Sequence, residues 1–239
     1  MRGKTLNRRR FTTLLLAIPA VMGSTASEPT EGAGLAPIFQ PPFAGPPSVN
    51  TWYMGQPYGN TVGAYRIRKN VYHQGQGIHF GVDLVAKCDT PVLAIGDGTV
   101  HSIDGPWGSA PHNLVLSHDN GLYSLYGHLR RRTTHLGVGQ RVRQGDVIGD
   151  SGDWLDSVRC NRAPHLHLEI RKDSMRTATN PIPLIEAPWY DASLGLGFSS
   201  PTFEIDLESP RRWQSLFDQP DIRFGGPLIN DYPNAWPPD

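Results

Sequence analysis

Net charge is absent: 22 basic side chains balance 22 acidic ones over 239 residues. No overall field therefore draws the chain to nucleic acid or to another anionic polymer. Long apolar runs are also missing. Thr12–Met22 is apolar but well short of the ~20 residues a membrane span needs. Cysteine is limited to Cys88 and Cys160. The central region lacks helical periodicity, and no internal repeat is present. The composition excludes a nucleic-acid binder and a multispan membrane protein, and it leaves room for one domain with a good core.

The N-terminus reads as an export signal over residues 1–26. Arg2, Lys4, Arg8, Arg9 and Arg10 precede the apolar stretch with no acidic residue among them, and Ser24-Thr25-Ala26 forms a small-residue cleavage site. Asn7-Arg8-Arg9-Arg10-Phe11 has the form of a twin-arginine signal. The expected location is thus periplasmic, extracellular or in the cell wall, with no stable membrane insertion after cleavage. Removal of the signal leaves 17 basic against 22 acidic side chains, formally −5. An oxidising destination favours a bridge between the two cysteines. Residues 27–50, rich in Pro and Gly, read as a linker.

From about Thr51 the chain turns strand-like. Asp97-Gly98 sits between Pro91–Ile95 and Thr99–Ile103, and Asp119-Asn120-Gly121 between Leu114–His118 and Leu122–His128. Both are hairpin signals. Val138–Gly149 alternates apolar and polar residues with glycine breaks. The expectation is an antiparallel all-β core over residues 51–181. Past Asn180, proline recurs but Trp189, Tyr190, Phe198, Phe203, Trp213, Phe217, Phe224 and Trp236 make the segment too aromatic for a typical disordered tail. Residues 182–239 therefore read as a C-terminal extension packed on the core. Ser209-Pro210 could start one short helix with Trp213, Leu216 and Phe217 on one face.

Three short segments concentrate chemistry. They are His79-Phe80-Gly81-Val82-Asp83, Tyr126-Gly127-His128-Leu129 and His165-Leu166-His167-Leu168-Glu169. Together they offer four imidazoles and a carboxylate flanked by apolar residues. A hydrolytic zinc centre needs three N/O ligands and an open position, with neighbouring groups to move protons and hold developing charge. His165 and His167, two apart on a strand, share a face, with attachment points roughly 6–7 Å apart. Spacing does not say which of them is the ligand. His79 and Asp83 would lie about 13 Å apart on a straight strand, and a bend at Gly81 would bring them together. Tyr126, two residues from His128, would share its face and could help position substrate. Glu169 would share the face of His167, either orienting a ligand or forming an ion pair at the sheet edge. Arg130-Arg131-Arg132 is chiefly a solvated turn or strand end.

These motifs resemble the lysostaphin-type, LytM-like zinc metallopeptidases of the M23 class. The likeness runs from about Gly77 to Ile170. Besides the three segments it includes Thr90–Ala94, Gly98–Val100 and the Gly-x-x-Val-x-x-Gly-x-x-Ile-Gly run at Gly139–Gly149. It implies a β-sandwich of the duplicated hybrid kind with an open metal groove, Zn²⁺ on His79, Asp83 and His167, and catalytic roles for His128 and His165. It implies a monomeric endopeptidase acting on peptidoglycan peptides. The sequence departs from the family pattern in Asn60–Gln76 and in the long Gly152–Pro164 segment, both expected to border the cleft. Some exported members place cysteines near positions 88 and 160, so a bridge would tie the second segment down.

Two other readings compete. A non-catalytic LytM-like regulator that activates a separate wall amidase would typically lack part of the metal set. Gly145–Gly149 is reminiscent of biotinyl or lipoyl carrier domains, but no lysine occupies a hairpin tip there, and a cytoplasmic sugar phosphocarrier conflicts with the export signal.

Overall fold

A computed structural model describes residues 37–132, 136–156, 158–193, 205–209, 212 and 214–232. The export signal, His135, Pro210 and Trp213 lie outside the described residues. The chain forms β1 (Trp52–Gln56), α1 (Val62–Arg66), β2 (Val82–Ala86), β3 (Pro91–Leu93), β4 (Gly98–Ile103), β5 (His112–Ser117) and β6 (Tyr123–Arg132). It continues through β7 (Arg141–Val142), β8 (Val147–Asp153), β9 (Pro164–Lys172), β10 (Thr177–Thr179), α2 (Trp189–Ser193) and β11 (Ile222–Arg223). Both helices are five residues long, so the antiparallel all-β expectation holds. No helix among the described residues is long and apolar enough to cross a membrane.

All pairings between these strands are antiparallel, and the main path runs β1-β2-β9-β8-β6-β5-β4-β7. β9 lies at its centre. β2 and β10 pair along one side of it, and β6 and β8 along the other. Leu166, Leu168 and Ile170 are fully buried on β9. Their burial on a central strand fits the continuous apolar run that surrounds the histidines. The β5–β6 hairpin forms where the Asp-Asn-Gly turn predicts it, with Ser117 opposite Tyr123. The other predicted hairpin does not. β3 pairs with β8, and β4 pairs with β5 and β7. Asp97 instead receives Gln144 N–H on its carboxylate and His118 Nδ1 on its carbonyl, which turns the two strands apart.

The main core gathers Trp52, Leu84, Val92, Leu116, Tyr126, Leu129, Ile148 and Leu166. Phe39 and Phe43, upstream of β1, are buried in it. A second cluster joins Tyr58 and Ile78 to Ala178 and Ile222, with Phe80, Phe224 and Ile229 against it. It draws the chain after β10 onto the segment that carries His79. Tyr58 OH donates toward the carbonyls of Ala178 and Pro220. Asn230 Nδ2 donates to Gly77 O at 2.6 Å and to Asn60 Oδ1 at 3.1 Å. Around the expected Ser209-Pro210 helix, the described residues 214–218 form a turn, with Leu216 packed on the main core.

Candidate metal centre

The register of three neighbouring strands builds the site. Asp83 on β2 stands opposite His167 on β9, and Gly127 on β6 stands opposite His167 from the other side. One row across the sheet therefore carries Asp83 and His167, with His128 at the next position of β6. His79 precedes β2. Its main chain exchanges hydrogen bonds with Gly59 at 2.8 and 2.9 Å, which folds it back over the row. The bend expected near Gly81 is present, but the glycine serves for space. A Cβ there would fall 2.6 Å from His167 Cε1 and 2.8 Å from Leu168 O, so only glycine admits the imidazole.

Donor atoms of His79, Asp83 and His167 lie within 4.8 Å of one another and could hold a metal ion. His79 Nε2 is 3.3 Å from Asp83 Oδ1 and 3.3 Å from His167 Nδ1, and that nitrogen is 2.7 Å from Asp83 Oδ1. His79 and His167 are buried. A carboxylate and two buried imidazoles with their nitrogens turned on one point are the donor set a small Lewis-acidic cation takes. His79 Nδ1 is occupied by Pro57 O at 2.7 Å, which orients Nε2 inward. Burial opposes the charge on Asp83, but the surrounding His79, His165 and His167 outweigh it and hold the carboxyl well below the usual range. Burial likewise opposes the charge on His167. Its contacts with Asp83 and Glu169 outweigh that and raise it to about 9.

His165 and His128 lie beside this group. Their ring centroids are 4.8 Å apart, and His128 is 5.8 Å from His167. Each Nδ1 is engaged by a backbone carbonyl, Ala163 O for His165 and Ala110 O for His128. Each ring thus presents Nε2 as its remaining nitrogen. Burial, then the neighbouring His167 and His165, pushes His128 down to about 3, so its ring is neutral. His128 adopts a left-handed backbone conformation, φ +58°, and its N–H donates to Ser109 O. This breaks the two-residue alternation of β6. Tyr126 and Leu129 both enter the main core, and His128 is left outside it.

Tyr126 is accordingly a core residue, against the expectation that it shares the face of His128. It is fully buried, and its hydroxyl accepts Ile95 N–H at 2.9 Å. Glu169 is also fully buried, on a central strand rather than at a sheet edge. Its oxygens receive Arg171 Nε at 2.6 Å and Nη2 at 3.1 Å. One of them also lies 3.3 Å from His167 Nε2, without hydrogen-bond alignment. Arg171 in turn stacks over Phe224 at 4.0 Å. Sequence reasoning passed over Arg171, although its charge, two residues past Glu169, was a legible signal. The carbonyls of Pro57, Ala110 and Ala163 leave no sequence signal.

Cys88 and Cys160 form a disulfide. Of the Arg130–Arg132 run, Arg130 pairs with Asp89 at 2.8 Å, and the side chains of the other two lie outside the described set.

Residues 77–181 match the profile of Peptidase family M23. The chain is 31% identical over 122 residues to the glycyl-glycine endopeptidase ALE-1 of Staphylococcus capitis, covering 49% of this chain and 32% of that protein. It is 36% identical over 94 residues to the DD-carboxypeptidase/endopeptidase Mpg of Neisseria gonorrhoeae, covering 39% and 20%. The chain thus spans about a third or less of the length of these curated relatives. Among solved structures, the catalytic domain of lysostaphin from Staphylococcus simulans aligns with 27% identity and a TM-score of 0.41, over 55% of this chain and 90% of that one. All three converging motifs fall inside the matched span, and that span is a domain of peptidase family M23, of the lysostaphin and LytM-like kind.

Proposed function

We propose that this protein is a zinc-dependent endopeptidase that hydrolyses peptide cross-links of bacterial peptidoglycan. The observation that carries the reading is the convergence of three metal-donor side chains with two imidazoles whose Nε2 atoms remain uncommitted to the backbone. His79 Nε2, Asp83 Oδ1 and His167 Nδ1 would hold the metal. Bound there, zinc supplies Lewis acidity to the scissile carbonyl and to the attacking water. The residues do the rest. Carbonyl contacts to Nδ1 fix the tautomers of His128 and His165. With Nδ1–H of both rings held by carbonyls, the bare Nε2 of one accepts the proton of the attacking water, and the other donates from Nε2 to the developing oxyanion as the doubly protonated imidazolium. Glu169 and Arg171 sit behind His167 and resist its rotation.

The relatives' printed activities, glycyl-glycine endopeptidase and DD-carboxypeptidase/endopeptidase, support a wall peptide as substrate. The disulfide supports an exported location, reached through the twin-arginine-like signal. The test is digestion of purified peptidoglycan by the zinc-loaded protein, with mass analysis of the fragments. New peptide termini that disappear on chelation are expected. Intact wall peptides, together with activation of an added amidase, would show a regulator instead.

A further inference from the structure

The segment between β8 and β9 is exposed yet firmly held. The buried Asp153 carboxylate accepts four backbone N–H groups, from Leu155 at 2.9 Å, Asp156 at 3.2 Å, Arg162 at 2.7 Å and Ala163 at 2.8 Å. The Cys88–Cys160 bridge ties its middle to the turn after β2. Despite this anchoring, it leaves large apolar groups in solvent: Trp154 is 52% exposed, Leu155 44% and Val158 81%. Folding gains nothing from presenting them, and grouped exposure of this kind marks a contact surface. The Trp154 ring lies 6.3 Å from that of His128, at the rim of the site. The same segment carries Arg159 and Arg162, both exposed and without an ion-pair partner among the described residues. The neighbouring Arg130 is committed to Asp89.

We propose that this segment is the specificity element of the site. Trp154 stacks against the bound peptide strand, and Arg159 and Arg162 select peptides bearing a free carboxylate beside the cleaved bond. The assignment rests on the peptidase reading above. An aromatic plate on a pre-fixed loop offers contact area with little ordering cost. Guanidinium groups match carboxylates in geometry as well as charge, and stay charged at any working pH. An uncharged strand such as oligoglycine would use the tryptophan alone.

Binding is measured by isothermal titration on the full chain carrying His165→Ala, so that peptide is not consumed. The probes are a glutamate-containing peptide, its glutamine isostere, and a neutral amino-sugar oligomer. The acidic peptide is expected to bind about tenfold more tightly than the isostere. Trp154→Ala should weaken both peptides roughly tenfold. Arg159→Gln with Arg162→Gln should erase the preference and leave the isostere unchanged. In the chain with His165 intact, Trp154→Ala should raise KM and preserve kcat. Equal or undetectable binding of the two peptides, or indifference to Trp154→Ala, would overturn the proposal. So would tighter binding of the amino-sugar oligomer, which would give Trp154 to glycan. If the wild-type chain cuts no peptide while these binding shifts persist, the peptidase reading fails and the specificity element stands. Cleavage that ignores all the loop substitutions gives the converse.

Discussion

The two sides of the site are held in different ways. On one side, His79, Asp83 and His167 form a cluster whose donor atoms face one another and which is backed by the buried Glu169–Arg171 pair. On the other, the rings of His128 and His165 each lean on a single carbonyl, and His128 lies beside an exposed tryptophan. The first arrangement suits donors that must not move. The second suits rings that exchange protons with substrate and solvent. The contrast teaches that fixed position here comes from burial and charge pairing, whereas a fixed tautomer needs only one backbone acceptor.

The sharpest way to break the contrast is to remove each side in turn. His79→Ala, Asp83→Ala and His167→Ala should lose bound zinc, read by elemental analysis after dialysis, because a three-ligand site has none to spare. His128→Ala and His165→Ala should keep the metal while turnover falls roughly 10²-fold or more. Full zinc in the first set, or near-normal hydrolysis in the second, would collapse the distinction between donors and proton carriers.

Next in size is the buried pair. Arg171→Met alone strands the Glu169 carboxylate and should cost about 3–5 kcal/mol in urea unfolding, whereas Glu169→Gln with Arg171→Met should cost less than either single change. Additive losses would mean that the pair is not coupled. Gly81→Ala should follow. Its methyl would overlap His167 and the Leu168 carbonyl, at a cost of about 1–3 kcal/mol and with measurably weaker zinc retention. Unchanged stability and metal content would show that the imidazole does not need that space.

The smallest effect concerns the margin. Burial opposes the charge on Asp153, but four backbone N–H groups prevail and hold its pKa below the ordinary carboxylate value. A depressed folded pKa contributes stability that is complete above the unfolded value, about 3.9, and is lost as pH falls through the folded one. Protection of the Leu155 and Ala163 amides, taken relative to intrinsic exchange at each pH, should therefore fall only at acid pH in the wild type. In Asp153→Asn that protection should already be low at neutral pH. Equal exchange in the two proteins would remove the carboxylate as the anchor.

Much of this was legible from residues alone. The antiparallel core followed from strand-like alternation and turn dipeptides, and the five chemistry-bearing residues lay in three compact motifs. Two kinds of information were not. Strand partners were hidden, because a turn signal such as Asp97-Gly98 fixes a local reversal and not which strand is met beyond it. The facing of Tyr126 was hidden as well. Period-two reasoning assumes an unbroken strand, and the left-handed residue at His128 shifts the phase by one. Glu169 was placed on the correct strand face, but its depth depended on β9 being central, which no local pattern reveals.

The backbone of His128 carries a further consequence. A left-handed conformation costs an ordinary L-residue about 1–2 kcal/mol, and glycine or asparagine largely escapes that cost. The same turn is what ejects the imidazole from the core. Selection for heat resistance alone, with hydrolysis unrewarded, should therefore favour drift at position 128 toward glycine or asparagine. Durability and turnover would then diverge first at the one left-handed residue within β6.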